Sequence, residues 1–353
     1  MGPAARATKI DVGILGATGA VGQQFIAQLA GHPWFRTTWL GASGRSEGKK
    51  YRDLTWRLST PFPEEVADLA IEPAAPGHAP RLVFSALDAT VAGEIEQAFA
   101  AAGHIVVSNA GNFRMDPLVP LLIPEVNPDH LGLVPAQQQA KGWSGAIVTN
   151  PNCSTVFLAM ALAAVRQFNP TAVLVTTLQA ASGAGYPGVA SLDLLGNVIP
   201  FISGEEEKIE NETKKILGSL VNGHVEPHPV VVSAQTTRVA VVNGHTEMIS
   251  VRFAKTPSRE DLLYAFASFW GRPQQHRLPT APAKPLIYLN EGNRPQPRLD
   301  VEREGGMAVF VGRLRPCPVL GYKFVALGHN TIRGAAGAAV LNAELMSVEG
   351  MLD

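Results

Sequence analysis

The strongest constraint on the fold lies near the N-terminus. Residues 10–15 are an apolar run, followed by Gly16-Ala17-Thr18-Gly19-Ala20-Val21-Gly22. Val21, Phe25, Ile26 and Leu29 then recur at helical spacing. Strand, glycine turn and helix in this order open a βαβ unit, which commits the chain to a parallel sheet covered by helices. The same turn lets a backbone approach a pyrophosphate, with the N–H groups around Thr18, Gly19, Ala20 and Val21 pointing at it. The spacing is Gly-x-x-Gly-x-x-Gly rather than Gly-x-Gly-x-x-Gly, a pattern that a purely structural βα turn can share. Gly16 is the residue placed for the tight turn.

The alternation continues. A strand is expected at residues 37–40, ending at Gly41-Ala42-Ser43-Gly44-Arg45-Ser46. An NAD site usually carries an acidic residue here to hold the ribose hydroxyls. Ser43, Arg45 and Ser46 stand there instead, and a guanidinium among hydroxyls suits a 2′-phosphate. NADP is the cofactor this favours; a solvated loop arginine is the other reading of Arg45. Further strands are expected at 81–85 and 105–108, separated by a helix at 93–102. Ligands in such sheets bind beyond the carboxyl ends of the strands, which places Ser85, Ala86 and Asn109 on the nicotinamide side. Residues 132–145 read as an irregular connection.

A second feature follows at Asn150-Pro151-Asn152-Cys153-Ser154-Thr155, between a short β run and an apolar helical stretch. Pro151 ends the strand. Asn152 and Ser154 are capping types. Cys153 is therefore expected at a helix N-terminus, where dipole and unpaired N–H groups should lower its pKa toward thiolate. The other cysteine, Cys317, lies between two prolines in what reads as an irregular segment. Two cysteines in 353 residues make no disulfide framework and point to a reducing compartment. The formal net charge of −1 gives no field that would attract nucleic acid or a membrane surface. No run of about 18 apolar residues exists, so no membrane span is expected. The first nine residues read as a frayed tail. Cysteines far apart and scattered histidines offer no zinc-ligand spacing, and no Gly-x-Ser-x-Gly elbow is present.

Beyond the Cys153 helix the pattern changes. A β run at 173–178 leads into Gln179 and the loop containing Ser182, Gly183 and Gly185. Residues 205–220 read as a charged helix with Lys208–Glu212 and Glu210–Lys214 pairs four apart, which by composition alone is a solvated face. Strands are expected at 230–233, 239–242 and 246–253, with Arg238 opening the second and His245 closing the turn before the third. An imidazole near a cysteine can exchange a proton with it. Two more strands, at 308–314 and 322–327, complete an antiparallel sheet. An Ala-rich helix at 332–346, opened by Asn330, is expected to return to the first domain. The fold class is thus α/β: a Rossmann dinucleotide-binding domain at 9–151, an α+β domain at 152–328, and a C-terminal segment, 329–353, expected to pack back on the first.

Together these stretches resemble the aspartate-semialdehyde dehydrogenase family, in its fungal and archaeal branch, over nearly the whole chain. The motifs that carry the likeness are Gly16 to Gly22, Arg114-Met115-Asp116-Pro117, Pro124-Glu125-Val126-Asn127, Asn150 to Cys153, and Gln179 with Ser182 to Gly185. Arg238 seven residues before His245, and Asn330, complete the set. The resemblance implies that the second domain, 152–328, is a catalytic, substrate-binding and dimerisation domain of the glyceraldehyde-phosphate dehydrogenase-like type, and it implies NADPH-dependent reduction of β-aspartyl phosphate to aspartate semialdehyde, with release of phosphate. It implies Cys153 as nucleophile and carrier of an acyl-thioester, His245 as acid/base partner and Gln179 as the orienting residue. Arg238 would hold the substrate carboxylate, Arg114 and Lys208 the phosphate, and Glu205 the amino group, with Asn152 beside the nucleophile. Ser182, Gly183 and Asn330 would join the cofactor site. A cytoplasmic homodimer or homotetramer is expected. Sister reductases on the same plan, malonyl-CoA reductase above all, and a non-catalytic dinucleotide-binding regulator are the alternatives.

Overall fold

The computed structural model of the protein describes residues 8–44 and 46–352. Arg45 and most of the N-terminal tail lie outside the described residues. The first half builds a six-stranded sheet: β1 (Ile10–Leu15), β2 (Phe35–Ala42), β3 (Ile71–Pro73), β4 (Leu82–Ser85), β5 (Ile105–Ser108) and β6 (Ala146–Thr149). All pairs are parallel, in the order β3-β2-β1-β4-β5-β6. Strand order reverses between β1 and β4, which opens a crevice at their carboxyl ends. Helices α1 (Ala20–Leu29), α2 (Ala89–Ala101) and α3 (Val134–Lys141) flank the sheet. The segment expected as an irregular connection therefore contains a helix. Its polar sequence misleads because only Val134 and Gln137 are buried, and Gln137 clamps both the N–H and the carbonyl of Ile147 in β6.

The second half begins with α4 (Cys153–Ala164), then β7 (Pro170–Gln179), α5 (Ser191–Leu194), β8 (Val198–Ile199) and α6 (Glu205–Ile216). A small hairpin follows, β9 (Ser219–Val221) with β10 (His224–Glu226). Next come β11 (Val231–Val239), β12 (His245–Phe253), α7 (Arg259–Ser268), α8 (Arg272–Gln275), β13 (Leu286–Leu289), α9 (Pro297–Asp300), β14 (Val309–Cys317) and β15 (Gly321–Gly328). Seven of these strands form a mixed sheet in the order β13-β14-β15-β12-β7-β11-β8. One face packs on α4, α6 and α7 through Leu158, Leu162, Val175, Ile209, Ile249 and Phe266. Cys317 belongs to β14, not to an irregular segment, because the turn after it lets Cys317 pair with Gly321.

Two strands expected between 230 and 242 are one strand, β11, so Arg238 stands near its carboxyl end instead of opening a strand. The polar run Ser233 to Thr237 looked like a break. It is tolerated because α6 covers this strand: Glu210 accepts from the Ala234 N–H and Glu206 from the Thr236 N–H. The chain ends in a π-helical turn, Ile332–Ala336, that runs into α10 (Gly337–Val348). This segment joins the core of the first sheet, where Ala339, Val340 and Leu345 pack in one cluster with Phe25 and Val107. Asn330 does not cap it. Among the described residues, no helix is long and apolar enough to cross a membrane.

Candidate active site

Cys153 is the first residue of α4, and Asn152 is its cap. The Asn152 side-chain oxygen accepts from the N–H groups of Ser154 (3.0 Å) and Thr155 (3.3 Å). The Cys153 sulfur is 3.2 Å from His245 Nε2. His245 opens β12, and its Nδ1 accepts from the main-chain N–H of Ala180 at 3.0 Å. The Ala180 carbonyl in turn accepts from Arg238 Nη1 at 2.8 Å. One peptide residue thus orients both the imidazole and the guanidinium. Register places Arg238 on β11 directly beside Gln179 on β7, both buried. Gly183 closes this corner: a Cβ there would lie 2.8 Å from Arg238 Nη1 and 3.0 Å from His245 Cε1. Gly334, in the π-helical turn, likewise has no room for a side chain, since its Cβ would be 2.6 Å from that of Cys153.

α6 supplies the other wall. Glu205, Lys208, Glu212 and Lys215 are spaced i, i+3, i+7 and i+10 and lie on one stripe of the helix. Both Glu205 oxygens accept from Asn152 Nδ2 at 2.8 Å, and Lys208 Nζ is 3.4 Å from Glu205. Of the three adjacent glutamates it is Glu205 that acts on Cys153; Glu206 turns to β11. Glu212 accepts from the Asn152 N–H at 2.6 Å and from Arg114 Nη1 at 3.1 Å. Lys215 is buried and donates to the carbonyls of Arg114, Asp116 and Val119 at 2.7–2.8 Å. The expected solvated face with pairs four apart is therefore corrected. Glu212 and Glu210 are taken by Arg114 and by β11, so Lys208 and Lys214 do not pair with them. Sequence reading missed Ala180, Glu212 and Lys215. The heptad offset of Glu212 from Glu205 was the available signal for one of them.

The thiol departs from expectation as well. Its pKa is raised to about 12, chiefly by burial and then by the negative charge of Glu205; Arg114, Arg238 and the Ser154 N–H pull the other way. Burial also pushes His245 down to about 3, with Arg238 and His329 acting in the same direction. Burial thus disfavours the charged form of both partners.

The crevice of the first sheet meets this corner. Gly16 has φ +75°, and a Cβ on it would strike the Ala86 carbonyl at 2.7 Å. Gly19 precedes α1 with no side-chain cap, and the first turn carries no acidic residue, so the helix end suits an anion. A cavity of about 330 Å³ runs from Ala20 and Gln24 past Arg57 to Ser182, Tyr186 and His329. This bare helix end and the close-packed glycine fit a dinucleotide pyrophosphate. Ser85 is buried at the end of β4, while Ser43 is exposed after β2 and Ser46 turns back on it through its N–H. Two expected cofactor contacts are engaged within the protein. Asn109 Oδ1 accepts from Asn150, and Asn330 bridges the Gly244 N–H to the Ser182 hydroxyl. Asn330 thereby ties the turn before His245 to the Ser182 loop.

Comparison with known proteins agrees with this geometry. Residues 11–134 match the family described as semialdehyde dehydrogenase, NAD binding domain, and residues 162–333 match semialdehyde dehydrogenase, dimerisation domain. The aspartate-semialdehyde dehydrogenase of Archaeoglobus fulgidus is 48% identical, covering 98% of this chain and 100% of its own. That of Cryptococcus neoformans is 48% identical, covering 98% of both chains. The crystal structure of the Candida albicans enzyme with NADP superposes with a TM-score of 0.90 at 42% identity, covering 98% of this chain and 100% of that one. With a glycine-turn crevice and a cysteine–histidine corner in one molecule, and with such likeness along the full chain, the protein belongs to the aspartate-semialdehyde dehydrogenase family.

Proposed function

We propose that this protein reduces β-aspartyl phosphate to aspartate semialdehyde with NADPH and releases inorganic phosphate, the step shared by lysine, threonine and methionine synthesis. The observation that carries the reading is the 3.2 Å approach of Cys153 to His245 at a helix N-terminus walled by Glu205, Lys208 and Arg238. An acyl phosphate is a poor direct hydride acceptor. Exchange onto Cys153 gives a thioester, whose carbonyl accepts hydride more readily, and divides one hard step into two. The nicotinamide, when bound, supplies that hydride. Arg238 takes the substrate carboxylate with a planar fork that the Ala180 carbonyl already orients. Glu205 takes the amino group. Lys208 and Arg114 face the phosphate, and Gln179 and Asn152 position the acyl group at the end of α4. Gly16, Thr18, Gly19, Ala20 and Val21 hold the pyrophosphate, Ser43, Arg45 and Ser46 the 2′-phosphate, and Ser85, Ala86, Ser182 and Gly183 the nicotinamide end.

A homo-oligomer belongs to this reading. The match to a dimerisation domain supports it, as do Leu174 and Met248, half exposed on the open face of the second sheet. A reducing, cytoplasmic setting accords with a working free thiol. The test is NADP reduction by aspartate semialdehyde in the presence of phosphate, run beside malonate semialdehyde with coenzyme A. Phosphate-dependent turnover of the first is expected. Turnover of the second alone would replace this reading with an acyl-coenzyme A reductase.

A further inference from the structure

We propose that Lys215 is a positioning residue for phosphate: it latches the loop that carries Arg114 onto α6, and so fixes the spacing between Arg114 and Lys208. The inference rests on the aspartyl-phosphate reading above, in which these two cations face the phosphate. Arg114 belongs to the first half of the chain and Lys208 to α6 in the second half. The covalent chain near them does not hold them together. Lys215 lies about two turns beyond Lys208 on the same stripe of α6. Its ammonium donates to the carbonyls of Arg114 at 2.8 Å, Asp116 at 2.7 Å and Val119 at 2.8 Å. These bonds bridge separations of 101, 99 and 96 residues.

Three carbonyls converging on one nitrogen select an ammonium, which has three N–H groups and no acceptor. The loop has little else to fix it. It forms turns of its own, in which the Asp116 N–H donates to Phe113 and the Val119 N–H to Asp116. The Arg114 side chain is aimed separately, by Glu212 at Nη1 and by the Asn109 carbonyl, 2.6 Å from Nη2. Lys215 therefore sets where the guanidinium starts, and Glu212 and Asn109 set where it points. Lys208 differs from Lys215. Its Nζ has a single long contact, 3.4 Å to Glu205, and its side chain is 44% exposed, which leaves it able to meet an anion. One helix thus carries one phosphate cation directly and anchors the backbone of the other.

The latch depends on charge. Burial pushes Lys215 down to about 8, while Asp116 from the loop and Glu212 from α6 pull it up. His130, from the turn at 128–133, also senses Lys215, and burial pushes that imidazole down, which disfavours a second cation there. A neutral amine would keep two N–H groups and turn a lone pair toward one of the carbonyls. The loop is then held by fewer bonds, and Arg114 loses its fixed distance from Lys208.

Two measurements test this on the full-length protein. In the phosphate-dependent aldehyde assay, Lys215→Met keeps the side-chain length and removes every donor. KM for phosphate should rise on the order of tenfold or more, as a positioning group displaced by about 1 Å would require. KM for NADP and for the aldehyde should stay within about twofold. Lys215→Gln, which returns two donors, should fall between Lys215→Met and wild type. A KM for phosphate that is unchanged in Lys215→Met, or that rises no more than the other two, would overturn the proposal. The second measurement uses the wild-type protein and does not depend on how a variant folds. Nitrogen NMR with labelled lysine follows the Lys215 Nζ titration, expected near pH 8, with and without saturating phosphate. If the ammonium form binds phosphate tenfold more tightly, reciprocity raises the midpoint by about one pH unit. An equal midpoint in both conditions would likewise overturn the latch. Absence of wild-type turnover with phosphate would instead defeat the underlying reading, an outcome distinct from normal turnover with an unaltered KM in Lys215→Met.

Discussion

Glu212 touches no expected substrate atom, yet its two oxygens hold the Asn152 N–H at 2.6 Å and Arg114 Nη1 at 3.1 Å. Glu212→Gln keeps the volume but offers one oxygen where two are needed, and turns an N–H₂ toward a donor. Hydrogen bonds to charged groups contribute about 1.5–3 kcal/mol, and a buried donor left without a partner costs about 1–3 kcal/mol. Part of this is relieved by shifting Arg114, which stays bonded to the Asn109 carbonyl and loses aim instead of leaving the site. If about 1.5–3 kcal/mol of the loss falls on phosphate binding, KM for phosphate rises roughly 10- to 100-fold. The effect on kcat should be smaller, because Asn152 keeps its bonds to Glu205 and to the α4 N-terminus. The assay is initial-rate NADPH formation at saturating aldehyde with phosphate varied, alongside thermal unfolding. A lowered melting temperature with unchanged KM for phosphate would refute the argument, since it would make Glu212 a purely structural residue and remove Arg114 from the phosphate site.

Three further outcomes are expected. The thiol, raised to about 12 by burial, should react with iodoacetamide near pH 8 on the order of 10³-fold more slowly than an unperturbed cysteine; a rate equal to that of free cysteine would show that the helix end prevails. Gly183→Ala crowds Arg238 and His245, so kcat should fall at least about tenfold while thermal stability changes little, as measured by steady-state kinetics and calorimetry. Arg45→Ala should weaken NADP much more than NAD in a fluorescence titration, and equal losses would exclude Arg45 from the 2′-phosphate site.

The first domain was legible because its signals are local. A glycine turn requires a positive φ at Gly16, and short apolar strands alternate with helices. The place of Cys153 was legible for the same reason, since Asn152 does cap the helix that Cys153 begins. What escaped was set by contacts distant in sequence. Arg238 looked like the start of a strand because Ser233 to Thr237 are polar, and only α6 lying over β11 explains that polarity. The α6 stripe looked solvated because its partners, Asn152 and the loop at 114–119, are 53 to 101 residues away along the chain. Arg333 and Glu125 give a further case: a bidentate pair, both side chains fully buried, spanning 208 residues. It fixes the π-helical turn that brings Gly334 against Cys153.

The same distinction decides the ionisation of Cys153. A helix N-terminus favours an anion by about 0.3–1 kcal/mol, rising to about 2 kcal/mol in partly buried sites. Moving a thiol from 9 to about 12 is on the order of 4 kcal/mol in the opposite direction. Burial and Glu205 therefore outweigh the dipole, although the dipole is real and Ser154 N–H expresses it. A substrate ammonium beside Glu205 would cancel that residue's charge at the sulfur, while Arg114 and Arg238 remain. The balance at Cys153 would thus change beside an ammonium, and a thiol pushed toward its neutral form is a poorer target for adventitious electrophiles. This predicts that aspartate semialdehyde analogues bearing the amino group, but no reactive carbonyl, accelerate iodoacetamide alkylation of Cys153 wherever they leave the sulfur accessible. Analogues lacking the amino group should not. Equal rates with both would mean that Glu205 does not govern the thiol.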